Sequence, residues 1–310
     1  MTSRTLAALP LVLLLAACAP GRAATAPSPA ASPGWDFRVV QPASDAESSL
    51  QDILARAGES DVVFFGEMHD DPETHRAEAE LLEAIGRLGR PVVLSLEMFE
   101  RDVQQAVDDY LAGRLSETAF LEVTRPWPRY ATDYRPLVET AKANGWPVVA
   151  SNVPRPLASA VGRKGLEALD TLTSAERAHA ARDIQCPRDE YHERFMATMR
   201  GHGAGGGAAA DSLPTAMAER FYLAQCVKDE TMAEAIVNAR RRAGDNAVVV
   251  HYNGAFHSDF GLGTASRVSR REAGWEILLI TAVPTADPAS ATLDGHEGRA
   301  EYVIFTRDLR

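Results

Sequence analysis

"DVVFFGEMHDD" (residues 61 to 71) runs four apolar residues, Val62 to Phe65, into a glycine and then into Glu67, His69, Asp70 and Asp71. A run that is apolar throughout reads as a strand buried on both faces of a parallel sheet, with its polar residues gathered at the carboxyl end. Late in the chain "VVVHYNGAFHSDFG" (248 to 261) repeats the arrangement and empties into Gly254 and His257. Both stretches read Gly-x-x-His.

The same alternation fills the chain between them. "DVVFFG" precedes the helix-patterned "ETHRAEAELLEAIGRLG", and "RPVVLSLEMF" (90 to 99) precedes "RDVQQAVDDYLAG". "PLVETAKANG" leads to "WPVVASN" (146 to 152), and the long helical pattern of 214 to 243 leads to "NAVVVHYN" (246 to 253). Buried runs separated by helices predict an α/β fold, a mostly parallel sheet flanked by helices. Asp71 and Pro72 fit the N-cap and first position of the helix that follows the first strand. In the tail, "GWEILLITAV" and "EYVIFTR" have no helix between them, which predicts an antiparallel pair at one edge. Residues 155 to 245 are helical in pattern and predict a helical cap over the sheet. They are interrupted by "RGHGAGGGAAADSLP" (200 to 214), whose five glycines cannot hold one backbone conformation cheaply.

The amino terminus predicts export. Arg4, the apolar "LAALPLVLLLAA" and "LAAC" ending at Cys18 form a lipoprotein signal peptide over residues 1 to 17, too short to be a spanning helix. Cleavage before Cys18 and lipid attachment to its thiol follow; cleavage after an Ala-x-Ala site such as Ala24 is the alternative. The Pro/Ala/Ser-rich residues 18 to 34 read as a flexible tether, leaving 35 to 310 as the folded domain. The expected location is the bacterial cell envelope, lipid-anchored, most simply at the outer membrane. Cys186 and Cys226 then remain, and an even pair in an exported protein suggests a disulfide. The formal charge of −11 repels phosphate backbones, and no basic stripe offsets it, so nucleic acid is not an expected partner.

The chemistry-bearing residues share one position in this fold. Glu67, His69, Glu97, Asn152, His251, Asn253 and His257 all lie at or just past the end of a predicted strand. Ligands of open α/β sheets bind in the crevice outside those ends. Two imidazoles with one or two carboxylates can hold a divalent metal, or without it do general acid–base work. Glu67, His69, Glu97 and His257 are therefore the candidate catalytic and metal-ligating set, expected in one pocket. His251, inside an apolar run, reads first as a satisfied core histidine. The common enzyme motifs are absent or incomplete: no Gly-x-Ser-x-Gly, no Walker loop, and "HERFM" (192 to 196) places Met196 where a second zinc-binding histidine belongs.

"GEMHD", "LSLEMFERD", "AQCVKDETMA" (224 to 233) and "GAFHSDFGLGTASRV" (254 to 268) together resemble the ChaN family of haem-binding lipoproteins. That family sits in a superfamily with Tiki proteases, TraB proteins and erythromycin esterases, marked by paired Gly-x-x-His motifs. The resemblance covers roughly residues 50 to 283. It implies an α/β sheet with a helical cap, a role for Glu67, His69, Glu97 and His257, and haem as cofactor or cargo in iron uptake. "GLGTASRV" stands where a Gly-Ile-Pro turn is expected in many relatives.

Two functions are compatible with these residues. One is haem or iron binding in the crevice between strand ends and cap, with Tyr130, Tyr134, His202 or Tyr252 as axial ligand and Arg125, Arg129 or Arg135 for the propionates. A homodimer is among the expected assemblies. The other is a metal-dependent or His/Glu-dependent hydrolase, peptidase or esterase, using the same cluster.

Overall fold

The computed structural model describes Met1 and residues 35 to 202 and 214 to 309, with the side chains of 201 and 202 excepted. The leader, the tether with Cys18, and most of the glycine-rich loop lie outside the described residues.

Eight strands pair in one sheet: β1 (Arg38–Gln41), β2 (Ala46–Ser48), β3 (Val62–Glu67), β4 (Val92–Glu100), β5 (Val148–Asn152), β6 (Val248–Gly254), β7 (Ile277–Thr285) and β8 (Tyr302–Arg307). Their order is β2-β1-β8-β7-β3-β6-β4-β5. From β8 to β5 every pairing is parallel, and only β1 runs antiparallel, to β2 and to β8. The fold is α/β with a mostly parallel sheet. One expectation is corrected here: β7 and β8 are parallel neighbours, Ile280 opposite Tyr302. The intervening chain, with its short turn Pro288–Ser290, returns to the same end before β8 starts. The antiparallel edge is instead built by the first two strands.

Against one face pack α1 (Leu50–Glu59), α2 (Pro72–Gly86), α3 (Gln104–Leu111), α4 (Glu117–Thr124), α5 (Tyr130–Asp133) and α6 (Arg135–Asn144), around Val63, Phe65, Leu94, Leu96, Val250 and Tyr252. After α7 (Arg155–Lys164), α8 (Ser174–Arg177) and α9 (Glu190–His202), two further helices cover the other face: α10 (Thr215–Ala243) and α11 (Gly263–Arg271). There Ala233, Ile236 and Val237 of α10 meet Val62, Phe64, Val93 and Val249. The long α10 thus divides its work. Its first half packs with α7 and α9 beyond the strand ends, around Val161 and Val227 and around Tyr222 and Cys226. Its second half belongs to the sheet.

Local chemistry places the turns that carry the site. Asp71 is the N-cap of α2, accepting from the Thr74 backbone N–H at 2.9 Å, with Pro72 as the first helical residue. That cap starts α2 immediately after His69 and turns its buried face toward the end of β3. Between α4 and α5, Arg125 and Arg129 both take left-handed backbone angles, φ 51° and 65°. Each such residue costs on the order of 1 kcal/mol, offset by what its side chain holds.

Candidate functional site

Side chains alternate along a strand, so residues two apart share a face. Glu67 follows Val63 and Phe65 and points to the α2 side. Glu97 follows Val93 and Ser95 and points to the α10 side, as do His251 and Asn253. The four expected site residues therefore gather at one strand-end edge as two halves, one from each face of the sheet, with His69 spanning the edge between them.

In the first half, Glu67 is wholly buried and its Oε1 accepts from His69 Nδ1 and from the Tyr134 hydroxyl, the latter at 2.9 Å. From α2, His75 places Nδ1 2.8 Å from Glu78 Oε2 and 3.6 Å from Glu67 Oε2. Asp133 lies 3.4 Å from His75 Nε2 and receives Arg129 at 2.7 Å. The strained Arg129 also donates to the backbone oxygens of His69 and Asp70, at 2.7 and 3.1 Å. Trp127 packs edge-on to the His69 ring, centroids 4.9 Å apart. The "RPWPR" loop thereby clamps the turn that carries His69.

In the second half, Glu97 Oε2 accepts the Gly254 backbone N–H at 2.8 Å, and its Oε1 lies 3.3 Å from His257 Nε2. His257 Nδ1 meets Asp229 Oδ1 of α10 at 2.7 Å. Asp229 is held in turn by the Tyr191 and Thr264 hydroxyls, at 2.9 and 2.8 Å. Gln225 stands 3.3 Å from the His257 ring. Gly254 joins the halves: a Cβ there would stand 2.7 Å from His69 Nε2 and 3.7 Å from Glu97 Oε2. Only a glycine leaves His69 room to lie over the strand end.

The electrostatics follow from this pairing. Burial opposes the charge on His257, but Glu97 and Asp229 overcome it and raise its pKa to about 9. Burial likewise opposes ionisation of Glu97, yet His257, His69 and Lys228 hold it well below the usual carboxylate range. Glu67 is lowered against its burial, chiefly by His69, and His69 is raised against its own burial by Glu67. Glu78, buried beside the charged Glu67, is pushed well above the usual range. Each imidazole thus has a fixed carboxylate partner, the arrangement that orients a general acid or base. His69 is the accessible one, its side chain 45% exposed.

His251 is a core residue: its Nδ1 meets Ser95 at 2.9 Å, and burial drives its pKa down to about 3. Three of the four expected axial ligands are turned elsewhere. Tyr134 is committed to Glu67, the Tyr252 hydroxyl donates to the Glu78 carbonyl at 3.0 Å, and Tyr130 is buried in the core among Phe99 and Phe120. His202 closes α9, its side chain outside the described residues. The expected propionate cations are engaged too: Arg125 with Glu100 and Asp102, Arg129 as above, Arg135 with Glu117. Cys186 and Cys226 pack in one cluster but both thiols are free, so the expected bridge is not formed. Burial, and then Cys186 itself, push the Cys226 thiol far up, which keeps it protonated.

Sequence reasoning missed His75, Glu78, Asp229, Gln225 and Tyr191. For four of them a signal existed. His75 and Glu78 are polar residues three apart on the buried face of an amphipathic helix, and Gln225 and Asp229 sit inside the "AQCVKDETMA" motif.

An apolar trough lies beside the second half, between α7, α9 and α10, with a cavity volume of about 490 Å³. Its walls include Ala158, Gly162, Phe195, Met199 and Phe221, and Arg155, Arg163 and Lys228 line it too. Gln225 lines the trough and touches His257, so the two adjoin.

A family model described as "Haem-binding uptake, Tiki superfamily, ChaN" matches residues 53 to 268. The chain belongs to this family. Among solved structures, a ChaN of Campylobacter jejuni, described as binding haem cofacially, superposes with a TM-score of 0.63 at 13% identity, covering 87% of this chain and 97% of that one. This ChaN-family chain shares that fold. An erythromycin esterase, EreC, reaches a TM-score of 0.43 at 11% identity, over 88% of this chain and 83% of that one. In sequence, RETICULATA-RELATED 5, a chloroplastic protein of Arabidopsis thaliana, is 24% identical over 226 residues. That match takes in 68% of this chain but only 29% of the relative.

Proposed function

We propose that this ChaN-family protein binds haem in the trough between α7, α9 and α10 and serves iron uptake at the cell envelope. One observation carries the reading: an apolar slot walled by Phe195, Met199 and Phe221 is lined by three cations, Arg155, Arg163 and Lys228. A porphyrin is a flat apolar body with two carboxylates on one edge, and it needs that combination. Phe221, 40% exposed, is a large apolar side chain left facing solvent. Met199 supplies a thioether in the slot, and His202 ends the same helix, so the iron ligand is sought on α9. Titration of the protein with haemin tests this. A Soret shift in the wild type, weakened in Phe221→Glu and altered in Met199→Ala or His202→Ala, is expected. An unchanged spectrum in all three variants would place the haem elsewhere.

Membrane attachment through a lipid on Cys18, with residues 19 to 34 as tether, is part of the same proposal. No helix among the described residues is long and apolar enough to cross a membrane. Incorporation of labelled palmitate, lost in Cys18→Ser, tests the anchor.

A second reading is favoured by the paired imidazoles. Glu67–His69 and Asp229–His257 flank Gly254 with Glu97 between them, more acid–base machinery than a haem slot requires. This reading is a His/Glu-dependent hydrolase of esters or peptides. His69→Ala should then abolish turnover of an ester or peptide panel while leaving haemin binding intact.

A further inference from the structure

We propose that Glu67, His75 and Glu78 form a buried binding site for one divalent transition-metal ion, zinc-like in its ligand preference, on the sheet face opposite His257. One ligand atom from each lies within 4.8 Å of the others. His75 Nε2 lies 3.2 Å from the backbone oxygen of His69. A carbonyl only accepts, so that nitrogen carries a hydrogen and Nδ1 is the ring atom turned into the site. Nδ1 faces Glu78 Oε2 at 2.8 Å and Glu67 Oε2 at 3.6 Å. One ring nitrogen and two carboxyl groups thus converge inside the protein, where every buried polar atom needs a partner. A single proton satisfies one edge of the triangle. It leaves Glu67 Oε2 and Glu78 Oε1, both buried, without a hydrogen-bond partner among the described residues. A divalent ion satisfies the triangle at once and balances both carboxylates.

The surroundings fit that role. The His75–carbonyl contact is the outer hydrogen bond by which a metal-bound imidazole is usually oriented. Glu67 has its Oε1 pinned by Tyr134 and His69, which leaves Oε2 turned to the site. Tyr252 fixes the Glu78 backbone. One imidazole with two carboxylates suits zinc, iron or manganese better than the all-oxygen shells of calcium and magnesium. The site does not depend on the haem reading, because none of its ligands lines the trough.

The test is metal loading of the full chain after chelator treatment and dialysis against zinc, with bound metal counted by mass spectrometry and thermal unfolding followed in parallel. One equivalent is expected in the wild type, with a raised Tm, and the same in His257→Ala. His75→Ala and Glu78→Gln should each weaken binding by more than about 100-fold. Glu78→Gln keeps the shape and brings its own donor, so it guards against simple misfolding. If a substitution unfolds the chain, cobalt loading of the wild type decides instead: a visible band from nitrogen and oxygen ligands, unchanged in His257→Ala, is expected. The proposal is overturned if the wild type holds no zinc or cobalt. It is equally overturned if Glu78→Gln and His75→Ala bind zinc as the wild type does, since the ion then sits elsewhere.

Discussion

Nε2 of His69 lies 2.7 Å from the point where a Cβ on Gly254 would stand. Gly254 has ordinary backbone angles, φ −53° and ψ 132°, so alanine is excluded by His69 and not by the main chain. Gly254→Ala should cost little stability, about 1 kcal/mol or less, because a half-exposed ring can swing away. It should break the Glu67–His69 pairing. The His69 imidazole resonances, compared between wild type and variant by NMR, would report the displacement. Superimposable resonances would show that the glycine does not set the position of this ring.

Two histidines at the end of one strand should titrate far apart. Burial holds His251 neutral with a pKa of about 3, whereas Glu97 and Asp229 raise His257 to about 9. At pH 6 to 8 NMR should find His257 charged and His251 neutral. A shared pKa near the ordinary value for both would contradict the assigned partners.

The same shift has a consequence for stability. The folded pKa of His257 is raised from an ordinary 6.5 to about 9, so its contribution is fully present below 6.5 and is lost as pH rises through 9. Glu97 and Asp229 are depressed, so theirs is present above the ordinary carboxylate range and lost in acid. Urea midpoints should therefore fall between pH 7 and pH 10. They should fall less in His257→Gln, where the alkaline loss is absent. Parallel profiles for the two proteins would count against this linkage.

Gly162 sits inside α7 and a Cβ there would meet Phe221 at an acceptable 3.5 Å. Gly162→Leu should fill the trough and gain up to about 1 kcal/mol of helix stability. Haemin affinity should fall while the Tm holds or rises. Undiminished affinity would remove the trough from the haem reading.

Cys186 and Cys226 are neighbours with free thiols, one on the segment before α9 and one on α10. Mild oxidation should link them slowly, because the Cys226 thiol is held protonated by burial. The closed loop should add about 2 to 4 kcal/mol. Denaturant unfolding with and without reductant measures it, and equal midpoints in oxidised and reduced samples would mean that no useful bridge forms.

Much of this protein was determined by its sequence alone. Apolar runs that end in glycine and polar residues specify parallel strands and put the chemistry at their carboxyl ends, and the Asp71–Pro72 pair specifies where α2 begins. The paired Gly-x-x-His motifs, with "AQCVKDETMA", specify the family. Tertiary structure decided which face each polar residue occupies. Because β3, β4 and β6 are buried on both sides, their sequences carry no alternation of polar and apolar residues, and the period-two signal that would assign Glu67 and Glu97 to opposite faces is erased. It also decided the partners. His75, Glu78 and Asp229 reach the strand ends from helices whose placement depends on packing against the sheet, and a helix does not declare in its own sequence which strand end it will cover. The direction of β8 was likewise settled only by the fold, since a strand's residues do not record whether its neighbour runs with it or against it.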